Sequence, residues 1–317
     1  MGIALDASAL VGCHGSTASP DTAPTTTTTI PSPSVSSSTV STDTTTTATN
    51  APLPTTTPGQ PVPIGPLHPQ GMRQVILPDG GTALQPMPFL GRPLRVQGEA
   101  RVAKASTRED WNGSALPNLD VLTSEERAAL ANEWARDAAA EHASIAAFSR
   151  FSLQLLALGA PADLVEAAHE AALDEARHAR EAYALASAFA GQPIGPAPLD
   201  VNGALAHVAD VTLEGLAIET FEEGCVGETL AAMDAHEKHA KYTDFAVHDV
   251  LARIAADEER HAELAWRTVA WAVRAGGDDV KRAIAESLAR LSGAPEMSQN
   301  TVFSAVIVPC ANALLEA

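Results

Sequence analysis

The feature that most constrains the fold of this chain is a six-residue motif that occurs twice. The sequence Asp-Glu-x-Arg-His-Ala occupies residues 174–179 and again 257–262, each time within an alanine-rich stretch. Residues three positions apart lie on the same face of an α-helix, so Glu175 lies beside His178 and Glu258 beside His261. The duplication predicts two helices whose matching Glu-His pairs face a common site between them.

Composition favours a helical core and argues against nucleic acid as a partner. Of the 317 residues, 45% are hydrophobic but only 4% are aromatic, which is typical of closely packed helices rich in Ala, Leu and Val. The net charge of −19 argues against stable binding to nucleic acid. The three cysteines match neither a zinc site nor a disulfide framework, and no apolar run is long enough for a transmembrane helix.

Start and stop signals predict where the helices lie. The sequence Thr-Ser-Glu-Glu at 123–126 is a capping box that begins a helix ending at about Leu158, before Gly159 and Pro161. Further helices are expected at about 162–190 and 208–241, from Thr243 or Asp244 to the glycine pair 276–277, and at about 279–292. Four long helices arranged as two hairpins predict an all-α four-helix bundle over residues 118–292.

The other segments are predicted to surround this bundle. Residues 16–70 are dominated by Thr, Ser and Pro, which predicts a disordered spacer. Residues 71–117 are predicted to form a small β appendage, with a hairpin at Asp79-Gly80 and a short strand within 94–102. Residues 293–317 are expected to pack on the bundle as a C-terminal tail.

The two remaining helices must supply further ligands if the Glu-His pairs bind metal. Glu141 lies in an apolar stretch of the first helix, where an unpaired carboxylate is unfavourable. On the third helix, aligning Glu-His-Ala-Ser-Ile-Ala-Ala-Phe at 141–148 with Glu-Thr-Leu-Ala-Ala-Met-Asp-Ala at 228–235 selects Glu228. Glu222 has a compatible spacing and is kept as the reserve ligand.

Charge and flanking residues fit a two-metal site. Four carboxylates carry −4 and two divalent ions carry +4, so the set is neutral and can be buried. Metal-binding histidines usually donate their second ring nitrogen to a carboxylate. We therefore expect Asp257 to contact His178 and Asp174 to contact His261 across the bundle. Arg177 and Arg260 are expected to pair with these aspartates.

These residues together resemble the ferritin-like di-iron carboxylate superfamily, which includes rubrerythrins, bacterial monooxygenase hydroxylases and a tRNA-modifying hydroxylase. The resemblance covers about residues 124–276. It implies a ferritin-like fold whose two iron ions, or a manganese or mixed pair, react with O₂ or peroxide using electrons from an unnamed donor. The implied ligands are Glu141, Glu175, His178, Glu228, Glu258 and His261. The chain lacks the four-cysteine iron site of rubrerythrins, which leaves the four-Glu, two-His set of the oxygenase branch.

The N-terminus is similar to the signal of a bacterial lipoprotein. The sequence Leu-Val-Gly-Cys at 10–13 resembles a lipobox, which implies a shortened signal over residues 1–15 and lipidation of Cys13. This interpretation predicts an exported protein attached to a membrane, at the periplasmic or cell surface. If residues 1–15 are not a signal, the expected location is the cytoplasm.

Three functions are compatible with these patterns. The first is a non-haem di-iron oxidoreductase or oxidase that uses O₂ or peroxide. The second is a surface lipoprotein that binds or handles iron without an organic substrate, and the third is a metal-free helical scaffold. A metal centre flanked by apolar groups favours the first, whereas an open acidic path to the metal favours the second.

Overall fold

The computed structural model describes residues 72–76, 82–86, 92–206 and 208–316, and this part of the chain is mostly helical. The predicted signal, the spacer and the lipidation of Cys13 lie outside the described residues and stay predictions from the sequence. Every helix in the described part is too short or too polar to span a bilayer.

The first two helices have the boundaries that the sequence predicts. Helix α1 is Ser124–Ala157, and its capping box is complete: Thr123 Oγ1 accepts from the Glu126 backbone N–H at 3.2 Å, and the Glu126 carboxylate accepts from the Thr123 N–H at 2.8 Å. Helix α2 is Ala162–Ala190 and ends at Gly191, whose φ of 69° closes the helix in the left-handed conformation.

The third predicted helix is interrupted. Helix α3 is Leu213–Glu219, capped by Thr212 rather than beginning near residue 208. A π-helical segment, π1, covers Thr220–Val226, and helix α4 continues as Gly227–Lys241. A π-helix holds extra residues for the same rise, so π1 shifts the faces of the residues on its two sides relative to one regular helix.

Helix α5, Phe245–Ser292, joins the last two predicted helices. Asp244 caps its start by accepting hydrogen bonds from the backbone N–H groups of Ala246 and Val247 at 3.0 and 3.1 Å. The predicted end at the glycine pair is a kink instead. Gly277 has φ 58° and ψ −138°, which is not helical, and the helix resumes beyond it.

Helices α1, α2 and α5 contribute to two apolar clusters at different levels along their axes, together with α4 in the first cluster and α3 in the second. Trp134 and Leu251 belong to the first cluster, and Phe148 and Leu164 to the second. Much of the buried surface between these helices is alanine, which allows close approach of the backbones. The doubled motif lies between the two clusters along α2 and α5, so its side chains are enclosed by apolar layers.

The chain ends in short helices that cover a third cluster. These are α6, Pro295–Ser298, then a second π-helical segment at Phe303–Ile307, and α7, Val308–Glu316. Phe303, Ile307 and Ala311 are buried in one cluster with Phe221 of π1 and Trp266 of α5. The C-terminal segment therefore packs against the helices that carry part of the candidate site.

The strands differ in part from the prediction. Strands β1, Met72–Ile76, and β2, Thr82–Pro86, pair antiparallel, and the turn predicted at Asp79-Gly80 lies outside the described residues. The single strand expected within 94–102 is divided into β3, Arg95–Val96, and β4, Glu99–Ala100, because Gln97 and Gly98 have positive φ and make a turn. Strand β5, Ala105–Ser106, pairs with β6, Gly195–Pro196, in the link after α2. The segment after residue 92 is thus joined to the helical part.

Candidate metal centre

The six predicted ligands meet in the interior of the helical part. They come from four helices: α1 supplies one, α2 two, α4 one and α5 two. None of them is more than 2% exposed to solvent. The residues are Glu141, Glu175, His178, Glu228, Glu258 and His261.

The ligand atoms form two adjoining groups that can hold a metal ion. In one group, atoms of Glu141, Glu175, His178 and Glu258 all lie within 4.8 Å of one another. The second group consists of Glu228, Glu258 and His261 under the same limit. Glu258 belongs to both groups.

Two of the glutamates face both histidines. One oxygen of Glu175 lies 3.8 Å from His178 Nδ1, and its other oxygen lies 3.2 Å from His261 Nδ1. Glu258 repeats this arrangement, with distances of 3.8 Å to His178 Nδ1 and 3.4 Å to His261 Nδ1. The cluster therefore has two similar halves that share two central carboxylates.

The inward-facing polar atoms of the cluster lack hydrogen-bond partners. This applies to both carboxylate oxygens of all four glutamates and to Nδ1 of both histidines. Buried polar atoms without partners are unfavourable by about 1–3 kcal/mol each, and more when charged. Carboxylate oxygen and imidazole nitrogen are ligands that suit iron, manganese and zinc. The donor set thus fits divalent metal ions.

The outward-facing nitrogen of each histidine contacts an aspartate from the opposite helix, and both contacts are those predicted. His178 Nε2 lies 2.9 Å from Asp257 Oδ2, and His261 Nε2 lies 3.3 Å from Asp174 Oδ2. Because an aspartate at Nε2 favours a proton there, each neutral imidazole directs its Nδ1 lone pair toward the glutamates.

Two arginines cover the aspartates on their outer side. Arg260 lies 2.6 Å from Asp257 and 3.1 Å from Asp174. Arg177 is bonded to Asp174 and lies 3.9 Å from Asp257. Each arginine side chain is 56% exposed, so a layer of positive charge separates the aspartates from solvent.

The carboxylates at the centre are held in an environment that disfavours negative charge. Burial raises the pKa of Glu175, and repulsion from Glu141 adds to it. Burial also raises the pKa of Glu228 well above its usual value, with a further contribution from Glu258. Positive charge placed among these groups would relieve both effects.

In the metal-free protein the histidines provide that positive charge. Burial opposes protonation of His178, but Asp257 and the nearby glutamates raise its pKa well above 6.5. Burial likewise opposes protonation of His261, yet Glu175 and Glu258 raise its pKa to about 10. For Asp257, the hydrogen bond and charge of His178 outweigh burial and lower its pKa to about 2. Metal binding must therefore displace protons from the imidazoles.

The reserve ligand lies elsewhere. Glu222, on π1, accepts a hydrogen bond from Ser287 Oγ at 2.7 Å and is bonded to Arg290. Both partners belong to α5 beyond the kink at Gly277. The choice of Glu222 as a reserve ligand is therefore wrong, and Glu228 is the acid of this helix that reaches the cluster.

Two features near the cluster were not predicted. Segment π1 ends directly before α4, whose first turn carries Glu228, and π-helical turns are frequent at functional sites. The two glycines at 224 and 227, unusual within a helix, were the only available signal. The ring of Phe148 lies 5.1 Å from that of His261 and forms an apolar wall beside the cluster.

No family model, curated protein or solved structure matches this chain.

Proposed function

We propose that this chain is a ferritin-like four-helix-bundle protein that holds two iron ions and acts as a non-haem oxidoreductase with O₂ or peroxide. One observation carries the proposal: Glu175 and Glu258 each direct one oxygen to His178 and the other to His261. Two carboxylates shared between two histidines suit a pair of metal ions better than a single ion.

Each half of the cluster has its own terminal ligands. Glu141 and His178 would hold one ion, and Glu228 and His261 would hold the other, while Glu175 and Glu258 lie between them. Four carboxylates neutralise two divalent ions, which supports burial of the loaded site. Four helical stretches supply the six ligands, as expected for a metal site in the core of a four-helix bundle.

The iron pair would supply electrons to O₂ or peroxide, and the protein controls the surroundings. Asp174 and Asp257 orient the imidazoles and keep their protons on Nε2. Burial of all six side chains excludes bulk water, which strengthens electrostatic interactions at the site. Phe148 provides an apolar wall that is suited to an organic substrate rather than to hydrated ions.

The surroundings favour oxidoreductase activity over iron handling without an organic substrate. A route for Fe²⁺ ions would be lined by carboxylates. Arg177 and Arg260 instead cover the outer side of the site at Asp174 and Asp257. Positive side chains at this position would repel cations that approach from this side.

Anaerobic reconstitution with Fe²⁺ tests the proposal. Wild type is compared with a His178→Ala, His261→Ala double variant and with His169→Ala, an exposed histidine of α2 that serves as the control. We expect about two irons per chain in wild type and control, much less in the double variant, and an absorption band on adding O₂ to loaded wild type. Equally low iron in all three proteins would reject the di-iron proposal in favour of a metal-free scaffold.

A further inference from the structure

Arg92, three residues before β3, is a cation buried beside the candidate metal centre. Only 3% of its surface is exposed. Its guanidinium lies over the ring of Phe151, 4.1 Å from the centroid, and 5.4 Å from that of Phe148. The two rings stabilise the positive charge through the face of the guanidinium, but they do not accept hydrogen bonds from its in-plane N–H groups.

One edge of this guanidinium has no hydrogen-bond partner. The Nε and Nη2 atoms of Arg92 are buried and unpaired. These two nitrogens lie side by side and form the edge that binds a carboxylate through two parallel hydrogen bonds. Among the described residues, no carboxylate lies within ion-pair distance of Arg92. Buried N–H groups of a charged side chain require a partner, so this edge indicates a ligand.

The two neighbouring acids lie within ion-pair distance of other arginines, although Glu223 Oε2 has no hydrogen-bond partner. Arg150 is bonded to Glu219 and lies 3.6 Å from Glu223, and Arg95 lies 3.7 Å from Glu223. Arg92 also acts electrostatically on Glu223, so the five residues form one charged group. Three arginines against two glutamates leave one positive charge in excess. In an acidic chain, this local excess favours an anion.

The unpaired edge lies close to the candidate metal centre. Phe148 contacts both Arg92 and the ring of His261. On π1, a Cβ at Gly224 would lie 3.3 Å from Arg92 Nη2, so any side chain there would crowd this edge. Gly224 is one turn before Glu228 in the same helical stretch.

We propose that Arg92 binds the carboxylate of a small organic acid, which is the substrate of the metal centre. The carboxylate accepts hydrogen bonds from Nε and Nη2, and the carbon skeleton lies along Phe148 toward His261. The assignment of this acid as substrate rests on the proposed oxidoreductase function, whereas its binding to Arg92 does not. The chemical class of the ligand follows from two features together: the Arg92 edge, which can bind a carboxylate with two hydrogen bonds, and the apolar wall of Phe148.

Anion binding to the full chain in chelator tests the inference without any iron chemistry. Benzoate, acetate and phosphate are titrated at constant ionic strength against chloride while the thermal midpoint is recorded. In wild type, we expect benzoate to raise the thermal midpoint in a saturable way and acetate to raise it less. The control variant Arg267→Met, at an exposed arginine, should respond in the same way. Arg92→Met should abolish the rise. Arg92→Lys should weaken benzoate binding at least about 10-fold, because lysine keeps the charge but loses the fork.

The stability of Arg92→Met without ligand separates a binding role from a structural one. A buried cation without a partner is unfavourable, so the variant should melt in chloride at or above the wild-type temperature. A lower melting temperature, together with no saturable benzoate response in wild type, would overturn the inference. An equal response to phosphate would overturn the carboxylate class.

Iron content is measured on the same preparations, so the two proposals fail separately. Two irons per chain without a benzoate response would reject only the role of Arg92. A benzoate response that depends on Arg92, in a protein that binds no iron, would reject only the di-iron function.

Discussion

Replacing Glu228 by glutamine should stabilise the metal-free protein and weaken its response to iron. Glu228 is fully enclosed, and burial together with Glu258 raises its pKa well above the usual value. Above a pH of about 4.5, the unfolded chain releases this proton more readily than the folded one, so the acid lowers stability as pH rises. Glutamine keeps the shape and removes the charge. We expect the free energy of unfolding in chelator to rise by about 1–4 kcal/mol.

Added iron should stabilise wild type more than it stabilises the Glu228→Gln variant. At a free Fe²⁺ concentration of about 100 times the dissociation constant, each bound ion adds about 2.7 kcal/mol to stability. Wild type holds two ions in this account, and Glu228→Gln loses the one beside His261. Wild type should therefore gain about 2.7 kcal/mol more than the variant when iron is added.

Urea unfolding under anaerobic conditions, with and without Fe²⁺, measures both effects. Glu237→Gln is the matched control, since it is an exposed glutamate of the same helix and should stay within about 0.5 kcal/mol of wild type in each condition. A ligand role for Glu228 would be refuted if the Glu228→Gln variant were less stable than wild type in chelator and bound the same amount of iron. Glu228 would then be a structural partner rather than a ligand.

Three further predictions concern pH, orientation and backbone conformation. In chelator, the free energy of unfolding of wild type should fall as pH rises from 6.5 to about 10, by up to about 1.4 kcal/mol per pH unit. The reason is that His261 keeps a proton in the folded protein that the unfolded chain releases. Urea unfolding at several pH values should show a smaller slope for His261→Gln. Asp257→Asn should weaken iron binding about 10–100-fold, measured by competition with a chelator, with little loss of helicity by circular dichroism. Unchanged iron affinity would exclude a role for Asp257 in orienting His178. Gly277→Ala should lower the free energy of unfolding by about 1–3 kcal/mol, since its φ of 58° with ψ of −138° is strained for alanine, whereas an unchanged value would contradict that conformation.

The sequence was sufficient to predict which six side chains meet in the interior because the information is local. A Glu-x-x-His pair occupies one helical face wherever the helix lies, and capping residues mark the ends of α1 and α2. The contacts of Asp174 with His261 and of Asp257 with His178 also follow from the duplication. Two helices with identical motifs, facing each other, offer each histidine the aspartate of the other.

Features that depend on distant contacts were not predictable. Segment π1 has no periodic signature, and it accompanies close packing at Gly224, where a Cβ would lie 2.5 Å from Ala265 Cβ. The position of Glu222 depends on this segment and on Ser287, a residue far along the chain. The pairing of β5 with β6 likewise joins segments far apart in sequence. The role of Arg92 emerges only from its burial, since a single arginine in a loop carries no pattern.

Anomalous X-ray diffraction at the iron edge, from crystals of the anaerobically loaded full chain, would locate the bound iron ions. A di-iron centre at these residues should give two peaks within the helical interior, one beside Glu141 and His178 and the other beside Glu228 and His261, with Glu175 and Glu258 between them. A single peak, no peak, or iron bound only at surface residues would contradict a di-iron centre in this protein.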